Sequence, residues 1–183
     1  MVLKDMDDIQ QKADCLHSAA EVEAALMRMA LEITERLAGT DPVGFCIMNG
    51  GLFMTGKLVE KLPFALELDY MHATRYGGET SGGVLHWKVR PDRSLKDRTV
   101  LLMDDVLDEG VTLAEIIRYC KEEGAAQVYA AVLVDKIHDR KAAGVKADFV
   151  GLQVVDRFLF GCGMDIGGYW RNLPALYAMK EEK

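Results

Sequence analysis

Val100-Leu101-Leu102-Met103-Asp104-Asp105-Val106-Leu107-Asp108-Glu109-Gly110-Val111-Thr112-Leu113 is the stretch that decides the fold. Four apolar residues, typical of a strand buried on both faces, run into an acidic pair. A third carboxylate, a Gly and a Thr follow. A helical apolar pattern then runs to about Glu123 and closes at Gly124. A strand that passes at once into a helix N-terminus sets two chemistries side by side. Backbone N–H groups at the helix start suit an anion, above all a phosphate. The carboxylates suit sugar hydroxyls, a divalent cation or a proton in transit. The plain alternative is a solvated turn with Asp108 as helix cap. Three features weigh against it: three acids within five residues repel one another unless a cation sits among them, Gly110 permits a close backbone approach, and Thr112 places a hydroxyl at the helix entry. Glu109 must then point its side chain outward while its N–H contributes.

Working outward, Ser18-Ala19-Ala20-Glu21 reads as a capping box, with Val22, Ala25, Leu26, Met29, Ile33 and Leu37 on one helical face and a stop at Gly39. Val43 to Met48 reads as a short buried strand ending at Asn49-Gly50-Gly51, and a second helix follows through Leu52, Phe53, Gly56, Leu58 and Val59. Phe64 to His72 is a looser strand. Residues 73–83, with four Gly in eleven positions, read as a flexible loop, and Val84 to Val89 resumes strand character. Gln127 to Val134 and Phe149 to Val155 are further strands. Strands separated by helices imply parallel pairing with right-handed crossovers. The expected fold is therefore α/β, a mainly parallel twisted sheet with helices on both faces. Ligands of such sheets bind beyond the strand C-termini, which singles out the loops 49–51, 104–112 and 135–138.

At 183 residues and 20.3 kDa the chain has the length of one domain, 1–183. Its formal net charge of -7 and lack of a basic cluster argue against a nucleic-acid surface. The acidic N-terminus is unlike a signal peptide, and no apolar run approaches a membrane span. The expected compartment is the cytoplasm. Cys15, Cys46, Cys120 and Cys162 show no metal-site spacing, and Cys46 and Cys120 read as small buried hydrophobes. His17, His72, His86 and His138 show no nucleophile or metal spacing and receive no role.

The acid-acid-x-x-Asp-x-Gly-x-Thr run resembles the phosphoribosyl-pyrophosphate motif of the type I phosphoribosyltransferases. Residues 43 to 171 more closely resemble the bacterial hypoxanthine-guanine phosphoribosyltransferases. The resemblance implies a small hood formed by terminal segments. It implies that Asp104 and Asp105 bind the ribose hydroxyls and help place Mg2+, that Asp108 is the general base, and that Asp108, Glu109, Gly110, Val111 and Thr112 hold the 5′-phosphate. Asn49 and Gly50 resemble the pyrophosphate loop, usually Lys-Gly and able to carry a cis peptide, and Arg171 matches a pyrophosphate-binding arginine. Lys136, just past the strand 127–134, matches the lysine that reads a purine 6-oxo group. Phe158 matches the stacking aromatic, Leu159 a backbone contact to the base, and Asp165 a Mg2+ ligand. Arg75 and Tyr76 fall in the family's mobile loop, with Arg75 replacing its usual Ser.

The activity implied is transfer of ribose 5-phosphate from phosphoribosyl pyrophosphate to a 6-oxopurine, by a homodimer or homotetramer with no nucleic-acid or membrane partner. A phosphoribosyl-pyrophosphate-binding regulator of nucleotide-synthesis genes would reuse this fold, but needs a nucleic-acid surface that this acidic chain does not suggest. A phosphate-ester hydrolase using the acidic pair would need a nucleophile pattern that the sequence lacks.

Overall fold

The computed structural model describes residues 3–75 and 85–180, with side chains described for 6–74 and 86–180. In chain order its elements are α1 (Leu3–Lys12), β1 (Asp14–His17), α2 (Ala19–Leu37), β2 (Val43–Ile47), α3 (Gly51–Val59), β3 (Glu67–Arg75), β4 (Leu85–Val89), β5 (Thr99–Leu107), α4 (Val111–Glu122), β6 (Gln127–Ile137), β7 (Phe149–Val155), β8 (Leu159–Phe160) and β9 (Leu176–Ala178). Six strands form one sheet in the order β4-β3-β2-β5-β6-β7. Every pairing in it is parallel except that of β4 with β3.

Alternation along β5 builds the core on both faces. Leu101 and Met103 pack with Met54 and Leu58 of α3 and with the buried stripe of α2, while Val100 and Leu102 pack with Leu113, Ile116 and Cys120 of α4. The α2 stripe is the one its sequence announces, and Ser18 and Glu21 make both hydrogen bonds of the capping box. From β2 the chain steps through α3 to β3 on one side. It later returns to β5 on the other side of β2 and proceeds through α4 to β6. With right-handed crossovers this reversal puts α3 and α4 on opposite faces. It also opens a crevice between the C-terminal ends of β2 and β5, where ligands of open α/β sheets bind.

The hood is a three-stranded antiparallel sheet, β1-β9-β8, made from the two ends of the chain. Met6, Phe160 and Ile166 form its small core, and Phe160 stacks on Tyr177 with ring centroids 5.4 Å apart. Arg157 clamps it, donating from Nη2 to Asp14 Oδ2 and to the Met179 carbonyl, both at 2.6 Å.

Several boundaries differ from the sequence reading. β3 starts at Glu67 and runs to Arg75, because β4 pairs with residues 72–75 and carries the strand into what read as loop. β5 runs four residues past Met103 and β6 three past Val134, since their ladder continues through Val106↔Val134 and Leu107↔Asp135. The acidic pair and Lys136 therefore lie on strands. Neither α1 nor the hood strands were legible by periodicity. Cys46 and Cys120 are buried as expected, and all four cysteines are free thiols. No helix among the described residues is long and apolar enough to cross a membrane.

Candidate active site

Two cavities meet at the C-terminal edge of the sheet. The larger, about 630 Å³, is lined by Asn49 and Gly50 after β2, by Asp104 and Asp105 on β5, by 108–112 at the entry of α4, and by Arg171. The smaller, about 250 Å³, is lined by Asp105, Asp108, Lys136, Phe158, Leu159 and Asp165, together with Val106 and Met164. Asp105, Val106 and Asp108 line both. Every predicted site residue whose side chain is described faces one cavity or the other. Arg75 ends β3 instead of lying in a loop, because Leu85 pairs with it. Tyr76 and the rest of the expected mobile loop lie outside the described residues.

The entry of α4 has the form that the sequence suggested. Gly110 is its N-cap in the left-handed region, φ 77°, with no side-chain cap. The cap is thus Gly110, and Asp108 is released from that duty. The first-turn N–H groups of any helix have no partner within it, and here they open onto the larger cavity. Glu109 Oε1 lies 3.8 Å from Arg140 Nη1 with its side chain 45% exposed, and both residues line the larger cavity.

Alternation sends Asp104 and Asp105 to opposite faces of β5. Asp105 is buried against the turn after β2: a Cβ added to Gly50 would fall 1.9 Å from Asp105 Oδ2. One added to Gly163 would fall 2.1 Å from the Gly50 carbonyl oxygen. Only glycines allow these three segments to meet. The Met48–Asn49 peptide is cis. Burial pushes both carboxyls above the usual range, and the Asp105 charge adds to the rise at Asp104. The Asp104 carboxylate accepts the Asp105 backbone N–H at 3.0 Å, and that of Asp105 accepts the Val106 N–H at 2.8 Å. Sugar hydroxyls or a hard cation would relieve this crowding. Asp165 is engaged otherwise: Oδ2 accepts the Gly168 N–H at 2.7 Å and Oδ1 pairs with Arg171, which also donates to the Gly163 carbonyl at 2.7 Å.

Asp108 sits where the cavities join. Its Oδ2 accepts from Lys136 Nζ at 2.7 Å, and its Oδ1 lies 2.9 Å from His138 Nε2. Partial burial opposes its charge, but the Lys136 ammonium and then the His138 ring outweigh that and hold the carboxyl below its usual range. His138 is the functional neighbour that spacing missed. Its only signal was its place two residues beyond Lys136 at the end of a strand. Asp108, His138 and Asp156 bring possible metal-ligating atoms within 4.8 Å of one another. Lys136 Nζ lies between the two acids, 3.7 Å from Asp156, and Arg140 also pairs with Asp156, so the cluster is neutralised by cations of the chain itself. His72, Lys88 and Arg140 also line the larger cavity, and the latter two bring positive charge to a wall where Asn49 brings none.

A sequence profile of the phosphoribosyl transferase domain matches residues 12–166. The chain is 30% identical over 176 residues to the hypoxanthine-guanine-xanthine phosphoribosyltransferase of Tritrichomonas foetus, covering 96% of this chain and 94% of that protein. It is 31% identical over 166 residues to the hypoxanthine-guanine phosphoribosyltransferase of Bacillus subtilis, covering 90% and 92%. A crystal structure of a hypoxanthine phosphoribosyltransferase from Staphylococcus aureus matches with a TM-score of 0.88 over 93% of this chain and 94% of that one. At 24% identity that match speaks to the fold alone.

Proposed function

The chain belongs to the phosphoribosyl transferase family, and on that premise we propose that it is an enzyme of purine salvage. It transfers ribose 5-phosphate from phosphoribosyl pyrophosphate to hypoxanthine or guanine, giving the nucleotide and pyrophosphate. One observation carries the reading: a cavity with an anion-binding helix entry and a cavity with a lysine, an aromatic and a backbone edge share Asp108.

In this reading the 5′-phosphate takes the N–H groups at the start of α4, and Asp104 and Asp105 take the ribose hydroxyls. As the pyrophosphate leaves, their negative charge favours the cationic sugar. Arg171 and the turn 49–50 face the departing anion. The purine lies in the smaller cavity against Phe158, which is 57% exposed and free to stack. Lys136 Nζ, which can only donate, prefers a 6-oxo group to a 6-amino group. Asp108 accepts or shares the N7 proton while N9 attacks the anomeric carbon with inversion. Asp104, Asp105 and Asp165 offer the hard oxygens that Mg2+ takes. When bound, Mg2+ supplies charge neutralisation to the leaving pyrophosphate. The proposal includes a cytoplasmic setting and assembly as a homodimer or homotetramer, open to sedimentation analysis.

The test is direct. Purified protein given phosphoribosyl pyrophosphate, Mg2+ and hypoxanthine or guanine forms inosine or guanosine monophosphate and equimolar pyrophosphate. Failure to form nucleotide from any 6-oxopurine, in protein shown to be folded, refutes the proposal.

A further inference from the structure

Resting on that activity, we infer that His138 is the positioning residue of the reaction, a neutral imidazole that holds one oxygen of Asp108 so that the other is free to receive the purine proton. The side chain of His138 is 5% exposed. Its two nitrogens are addressed by different partners. Nδ1 accepts the Arg140 backbone N–H at 3.1 Å, and Nε2 faces Asp108 Oδ1 at 2.9 Å. A ring whose Nδ1 accepts must carry its proton on Nε2. His138 therefore donates to Asp108 as a neutral ring, in one fixed tautomer.

The consequence lies at the other oxygen. Without a purine, each oxygen of Asp108 carries one partner, Oδ2 the Lys136 ammonium and Oδ1 the His138 ring, and the ammonium opposes protonation of the oxygen it holds. A 6-oxopurine draws the Lys136 ammonium toward its carbonyl, which uncovers Oδ2. His138 lines neither cavity, so its Nε2–H stays on Oδ1, the oxygen that Lys136 does not hold. The imidazole thus keeps the carboxylate from rotating as Lys136 leaves, and Oδ2 becomes the accepting atom. No atom of His138 touches the substrate. The proton moves only from N7 to Oδ2.

Glutamine can present an N–H donor near the position of Nε2, whereas leucine fills the space without one. With hypoxanthine as acceptor, His138→Leu should lower kcat by about 10–100-fold, the scale on which outer partners act in oriented metal sites. KM for phosphoribosyl pyrophosphate should stay within about threefold, since the phosphate cradle is untouched, and His138→Gln should recover most of kcat. A leucine variant with wild-type kcat, or a glutamine variant as impaired as leucine, overturns the inference. A second readout needs no variant that must fold with a new core: nitrogen-15 NMR of the wild-type imidazoles. It should show one buried ring protonated at Nε2 alone at neutral pH. A ring at this position protonated at Nδ1 overturns the inference equally. Wild-type protein that makes no nucleotide refutes the activity itself. An active wild type with an unaffected leucine variant refutes only the role of His138.

Discussion

Asp104 shows what the site asks of single residues. Its carboxyl is crowded by burial and by the charge of Asp105, and both push its pKa up. A folded pKa above the unfolded value means that the native state binds the proton more tightly, so stability falls as pH rises from the unfolded pKa through the folded one. Asp104→Asn should therefore melt higher than wild type at neutral pH, by about 2–4 °C for each ~1 kcal/mol of relieved charge in a domain of this size. The advantage should vanish near pH 4. It should come with weaker binding of the phosphoribosyl group. A melting temperature equal to or below wild type at pH 7 contradicts the account. At this scale the sequence was informative about acids and silent about histidine. Three carboxylates within five residues announce mutual repulsion whatever surrounds them. His138 acquires meaning only from Asp108, thirty positions earlier.

Among the elements, the join between β5 and α4 does most to place the chemistry. Gly110 stands there at φ 77°, and a Cβ would meet Val145 Cγ1 at 2.6 Å and Leu107 Cδ1 at 2.8 Å. Gly110→Ala should therefore destabilise the fold by about 1–3 kcal/mol from overpacking, read in urea unfolding. It should also weaken phosphoribosyl-pyrophosphate binding by tilting the helix entry. An unchanged urea midpoint contradicts this. The long elements could be read in advance because their burial is periodic: the α2 stripe and the alternation of β5 each meet a core face. Their ends could not, since pairing across the ladder carried β5 four residues and β6 three beyond their apolar runs. β8 spans two residues and β9 three, too short for any period to show.

Across the whole molecule, the direction reversal between β2 and β5 and the hood over the sheet edge divide the labour. The sheet supplies Asp104, Asp105, Asp108, Lys136 and the helix entry, whereas the segment that begins the hood supplies Phe158 and Leu159. Alternating strands and helices declared the sheet, but the hood joins Asp14 to Arg157 over 143 positions, a contact that local pattern cannot reveal. The two parts meet at Asp108, which lines both cavities. The measurement that tests that shared role most directly is Asp108→Asn, followed by hypoxanthine turnover and by phosphoribosyl-pyrophosphate binding in parallel. The variant should lose kcat by about 10²–10⁴-fold, the range of a lost general base, with phosphoribosyl-pyrophosphate affinity within about threefold of wild type. Undiminished turnover by the folded variant would contradict that role.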